Sequence, residues 1–160
     1  MTFLIVLALY LGALFLVGFL SRRSMGVPAL ALTAGAVLAK LWTDSLTPLV
    51  ASSGVIIIRP PLESLVAIAL TLLPAFILMF RAPKANAHHH SIFGSLVFAV
   101  LAVMLTYGAF ANAVVLDEAS RFYVTQLLSY DKAIITAAII LALGDVLFYR
   151  KSHLADRHKK

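Results

Sequence analysis

The chain has 160 residues, of which 62% are hydrophobic and 12% charged, with a formal net charge of +6 and a mean hydropathy of +0.99. Soluble domains carry about 45–50% apolar and about 25% charged residues, so this composition argues against a soluble domain, a disordered chain and a nucleic-acid-binding module. It points to a small polytopic membrane protein with an all-α fold, and the absence of cysteine removes disulfides, thiolate metal sites and thiol catalysis.

Residues 2–20 form an uncharged run. Nineteen helical residues rise about 28 Å, close to the thickness of a bilayer core. No basic region precedes the run and no small-x-small cleavage site follows it, so it is expected to be an uncleaved first span. Arg22 and Arg23 close it.

The second segment, residues 27–42, opens at Pro28 after a Met25-Gly26 turn, the position that suits proline at a helix start. Ala31, Gly35 and Ala39 recur every four residues and share one face. Such a small-residue strip lets a neighbouring helix approach closely, which predicts an inner helix. A re-entrant hairpin is the alternative. Thr47-Pro48 can start a further short helix, and the run to Ile58 is too short to cross alone, so it is expected to return along the interface. Arg59-Pro60-Pro61 ends it.

Residues 64–80 form the third candidate span, with Pro74 inside predicting a kink and Arg81 and Lys84 at its end. A polar connector runs to His90. Ser91 is the expected N-cap of the fourth span, residues 92–116. Twenty-five residues make about 37 Å of helix, longer than the core, so tilt or a projecting end is expected. Asp117-Glu118 opens an amphipathic stretch through Tyr130, in which Ala119, Phe122, Tyr123, Leu127 and Tyr130 share one side. A helix lying in the membrane interface and a loop packed on the bundle are the two readings. Asp131 is the expected N-cap of the fifth span, residues 133–149, and residues 150–160 form a basic cytoplasmic tail.

With five crossings, nine of the thirteen Lys and Arg residues fall on one side: Arg22, Arg23, Arg81, Lys84, Arg150, Lys151, Arg157, Lys159 and Lys160. Lys40, Arg59, Arg121 and Lys132 fall on the other, with Asp44, Glu63, Asp117, Glu118 and Asp131. The positive-inside rule then predicts an outside N-terminus and a cytoplasmic C-terminus. Arg22, Arg23, Arg81, Lys84, Arg150, Lys151, Lys159 and Lys160 are expected to meet anionic lipid headgroups.

Asp145 is the only carboxylate inside a predicted span. A charge at the bilayer centre costs about 2.5–3.5 kcal/mol on insertion scales, which makes Asp145 a candidate proton or ion site. Pairing with a basic residue at headgroup level is the alternative, since Arg150 follows within about 7.5 Å of helix. His88-His89-His90 is a weak metal candidate: consecutive helical residues diverge, so chelation needs a loop, and no carboxylate or cysteine stands nearby. No metal site or cofactor is expected. No phosphate-binding loop, metalloprotease helix or nucleophile elbow is present, and no enzymatic activity is expected.

The order of an opening span, a basic turn Ser21-Arg22-Arg23-Ser24-Met25-Gly26, an Ala/Gly-rich segment over 31–39, a short stretch near 47–54 and a connector into Ser91-Ile92-Phe93-Gly94-Ser95 resembles the colicin V production protein family. The resemblance covers roughly residues 1–110. It implies a small bacterial inner-membrane protein linked to toxin production or secretion and to envelope maintenance. The residues themselves suggest a scaffolding protein that uses Ala31, Gly35 and Ala39 against a second copy or a membrane partner. The rival is a small transporter or channel component with a site around Pro74 and Asp145.

Overall fold

The computed structural model describes residues 2–21, 23–53, 61–82, 88–114 and 118–157, without the side chains of 2, 88–91, 118–119 and 148–157. Six helices follow in order among the described residues: α1 Thr2–Ser21, α2 Gly26–Ser52, α3 Leu62–Arg81, α4 His88–Ala113, α5 Glu118–Ser129 and α6 Asp131–Arg157. Among the described residues there is no strand. Four stretches among the described residues are long and apolar enough to cross a membrane: Phe3–Ser21, Gly26–Ser52, Leu62–Arg81 and Ile92–Ala113. A fifth results if Ser120–Ser129 and Asp131–Leu147 count as one span, bent by 58°.

Each apolar run becomes a helix because every backbone polar group must be satisfied within its own segment when water is absent. α1 has apolar side chains all round, yet only 17% of its window is buried within the chain. Ile5, Leu9, Leu16 and Leu20 all point outward. A contiguous outward apolar surface of this kind is a lipid or partner face, not a water face.

The second segment is longer than its apolar run. α2 continues through Pro48 to Ser52, so the short helix expected to begin at Thr47-Pro48 is the end of α2. A proline inside a helix removes the N–H that would meet the carbonyl four residues back, here Asp44. Asp44 and Pro48 are both exposed, so that carbonyl is open to outside donors. The Thr43 and Thr47 hydroxyls donate to the carbonyls of Ala39 (2.6 Å) and Thr43 (2.7 Å) along the same turns.

The enclosed helix is α4 rather than α2. α4 touches α1, α2, α3 and α6. Half of its window is buried, against 44% for α2 and 22% for α3. Ser95, Phe98, Ala99, Leu101 and Ala102 are fully buried on its successive faces. α4 starts at His88, three residues before the expected Ser91 cap, so the histidines extend the helix instead of ending a loop.

α1, α2, α3, α4 and α6 alternate in direction, which gathers their termini into two clusters. At one end Phe3 of α1 meets Phe110 of α4 edge to face at 5.7 Å, Tyr10 stacks on Phe110 at 5.3 Å, and Val124 of α5 completes the cluster. α5 turns Ser120 and Val124 inward and leaves Phe122 and Tyr123 exposed, as is Tyr130 in the turn that follows. The aromatic side read from the sequence is therefore the side facing away from the bundle, apart from Ala119, whose side chain lies outside the described residues. At the other end lie the α1–α2 turn, the end of α3, the start of α4 and the last part of α6.

Candidate functional site

At the α1–α2 turn two polar side chains, Arg23 and Asp145, bind the backbone of helix ends. Met25 precedes α2 and has no side-chain acceptor for the helix's first N–H groups. A helix start leaves four such donors without intrahelical partners, and they carry partial positive charge. The acceptor comes from a residue 119 positions away: Oδ2 of Asp145 on α6 accepts the Gly26 N–H at 3.1 Å. The Ser24 hydroxyl donates to the same oxygen at 3.4 Å. A carboxylate at a helix N-terminus is stabilised by both the hydrogen bond and the dipole.

Gly26 makes this approach possible. A Cβ there would stand 2.8 Å from Asp145 Oδ2, 2.8 Å from Val146 Cγ2 and 2.9 Å from the Ala142 carbonyl oxygen. Gly94 on α4 closes the other side, where a Cβ would lie 3.2 Å from Met25 Cβ. Together Met25, Gly26, Ala29, Phe93, Gly94, Val97, Leu141, Ala142 and Asp145 line a small crevice at the junction of α2, α4 and α6.

The same turn sends Arg23 the opposite way. Its guanidinium donates to the carbonyl oxygens of Phe80 and, at 2.8 Å, Ala82, at the C-terminus of α3. Those carbonyls lack helical N–H partners, and a cation there complements the dipole. Arg23, expected at the lipid headgroups, thus has a protein partner. Arg81 is exposed on the last turn of α3. Arg22, Lys84, Lys159 and Lys160 lie outside the described residues, as do the side chains of Arg150 and Lys151. The expected Asp145–Arg150 pair therefore falls outside what the structure describes.

The Ala31, Gly35, Ala39 strip packs within the chain. All three are buried, and a Cβ at Gly35 would run into the Thr71 carbonyl of α3 and stand 2.9 Å from that of Leu70. Leu70 is the residue whose carbonyl Pro74 deprives of its i+4 donor. Gly35 thus brings its Cα hydrogen toward the carbonyls one turn before Pro74, a weak but recurrent helix–helix contact. The strip expected to meet a second copy or a partner is covered by α3.

Pro74 and Asp145 do not form one site. Their partners on α2, Gly35 and Gly26, are nine residues apart, about 13 Å along the helix. His88, His89 and His90 sit in the first turn of α4, their side chains outside the described residues. Among the described residues no group of three His, Asp or Glu could hold a metal.

Sequence reasoning missed Ser24, Gly26 and the capping role of Arg23. Their signal was the turn Ser-Arg-Arg-Ser-Met-Gly, whose basic pair reads most simply as the close of a span. A polar pair between α1 and α4 also went unread: the Tyr10 hydroxyl lies 3.1 Å from Thr106 Oγ1, while Thr106 donates to the Ala102 carbonyl at 2.7 Å.

No protein-family model, no curated protein and no solved structure matches the chain.

Proposed function

We propose that this chain is an integral protein of the bacterial cytoplasmic membrane that crosses five times, with its N-terminus outside and its C-terminus in the cytoplasm. It acts as a non-enzymatic, envelope-associated scaffold, in keeping with its resemblance to a family linked to toxin production or secretion. The observation carrying the scaffold reading is the filled axis of the bundle: Phe98, Leu101 and Ala102 of α4 and Leu32 of α2 are fully buried against one another's helices. A dry, close-packed interior suits a rigid platform better than a conduction path. The clustering of helix ends around the α1–α2 turn supports the alternation on which the five crossings rest.

The exposed aromatics Phe122 and Tyr123 of α5, with Tyr130 just after it, suit an interfacial helix with these rings at headgroup level. Because α3 covers the small-residue strip, a second copy or membrane partner would meet another surface, such as the outward face of α1. A transporter or channel component is the second reading, favoured by Asp145 lining an open crevice.

The chain has no native cysteine, so single cysteines can be placed without background. Ala85→Cys should react with a membrane-impermeant thiol reagent only from the cytoplasmic face, and Ser53→Cys and Gln126→Cys only from outside. Labelling of all three from one face ends the five-crossing reading. Proteoliposomes holding the protein should show no ion or solute flux; measurable flux replaces the scaffold with the transporter.

A further inference from the structure

Pro74 divides α3 into two halves whose buried faces differ in chemistry. After the proline the buried residues of α3 are Ala75 and Met79, and they join the apolar core together with Ala31 and Leu32 of α2. Before it they are the hydroxyl residues Ser64 and Thr71. On α2 the buried residues beyond Gly35 are Ala39 and Thr43, and neither belongs to that core. The two helices run antiparallel, with Gly35 against Thr71. Thr43, further along α2, is therefore level with Ser64, further back along α3, each about 11–12 Å of helix from that contact. Thr43 and Thr71 donate to the carbonyls of Ala39 (2.6 Å) and Ala67 (2.8 Å), which leaves both hydroxyl oxygens able to accept. Ser64 is 4% exposed, and among the described residues its hydroxyl has no hydrogen-bond partner.

We propose that the half of the α2–α3 seam farther from the α1–α2 turn opens and closes about Pro74 and admits water to Ser64. A buried hydroxyl without a protein partner needs water. Ser64 can donate to a water molecule that in turn donates to the oxygen of Thr43. The pivot has two parts. Pro74 removes the hydrogen bond that would tie the Leu70 carbonyl to the next turn, so α3 bends most easily there. Gly35 lets the two backbones touch one turn before the proline. Rotation about that contact moves the contact little and moves Ser64 far more. The buried side chains that part beyond it are those of Ala39, Thr43, Ser64 and Thr71, so parting exposes little apolar area. On the other side of the pivot, Leu32 and Met79 would have to leave the core, which keeps that half closed. The inference goes beyond the scaffold reading and rests on the membrane reading only for the side on which the seam opens, the outside.

With no native cysteine, each half can be probed by a single thiol. Ser64→Cys and Met79→Cys place it at positions 4% and 6% exposed on the two sides of Pro74. In detergent, N-ethylmaleimide should modify Ser64→Cys several-fold faster than Met79→Cys, with both variants folded by circular dichroism. Pro74→Ala restores the missing backbone hydrogen bond, so it should slow modification of Ser64→Cys several-fold and leave Met79→Cys unchanged. In the native chain, amides of residues 68–73 should exchange with solvent several-fold faster than those of 75–78. Equal exchange on the two sides of Pro74 overturns the proposal without reference to any variant. Equal modification of Ser64→Cys and Met79→Cys overturns it too. An unchanged Ser64→Cys rate in the Pro74→Ala background, as fraying of the α3 start alone would give, overturns it as well. The detergent rates do not depend on sidedness, so failure of the seam and failure of the membrane reading are distinguishable.

Discussion

Gly35 of α2 lies against the backbone of Thr71 on α3, close enough that no side chain fits between them. The pair stands one turn before Pro74, at the place where α3 has lost a backbone hydrogen bond. Two features that look independent in sequence, a glycine in a small-residue strip and a proline in an apolar run, are one contact.

Gly35→Ala should therefore be among the most damaging conservative changes. The new methyl meets backbone that cannot rotate away, and overpacking of this kind costs about 1–3 kcal/mol. Gly12 and Gly108, where an added methyl would find nothing within 4 Å, supply the controls: alanine there should be neutral or stabilising by up to about 0.5–1 kcal/mol. Thermal unfolding in detergent, followed by circular dichroism, separates the two classes. Equal melting temperatures for all three variants would mean that α2 and α3 do not pack through Gly35.

The Asp145 cap makes a graded prediction. Asp145→Ala leaves the start of α2 without its acceptor and should cost about 1 kcal/mol, while Asp145→Asn retains most of the stability. Gly26→Ala should also destabilise, by crowding Oδ2 and Val146 Cγ2. The two changes share an atom, so their effects should fall short of additive. Additive losses in the Gly26→Ala, Asp145→Ala double variant would show that the residues are not in contact.

What was legible in the sequence follows from how far each signal reaches. The helices could be read because an apolar run and its flanking charges are local. The Gly35 strip could be read because its period is local too, but its occupant could not, since nothing in residues 31–39 says whether α3 or another chain covers them. Asp145 stood out as a carboxylate in an apolar run, yet its partners lie 121 and 119 residues upstream. Arg23 and Arg22 are indistinguishable as a pair of cations after a span, and only the tertiary position of the α3 C-terminus gives Arg23 its partner. The centrality of α4 was hidden for a related reason: α2 and α4 are both rich in small residues, and enclosure depends on how many neighbours use them.

Arg23 should accordingly behave unlike its basic neighbours. Arg23→Ala removes two hydrogen bonds from the end of α3 and should destabilise by about 1 kcal/mol, the ordinary net value for such contacts where the group is partly solvated. Arg81→Ala, on an exposed position of the same helix end, should stay within about 0.5 kcal/mol. Hydrogen exchange would localise the difference: amides in the last turn of α3 should exchange faster in Arg23→Ala than in Arg81→Ala. The reverse order would remove Arg23 from its capping role.

The Tyr10–Thr106 pair tests how much a polar contact is worth inside the apolar bundle. Thr106 is 1% exposed and already donates to Ala102, so its oxygen is left to accept from the Tyr10 hydroxyl. Tyr10→Phe removes the donor but keeps the ring on Phe110. Thr106→Val removes the acceptor but keeps the shape. Interhelical hydrogen bonds in membrane bundles average about 0.6 kcal/mol in double-mutant cycles, because the separated helices find other partners. The cycle here should return a coupling of about that size, read from unfolding in detergent. A coupling near zero would leave the stacked ring of Tyr10 as the whole of its contribution to the α1–α4 contact. A coupling well above about 1 kcal/mol would mean that the Tyr10 hydroxyl has no alternative partner once α1 separates from α4.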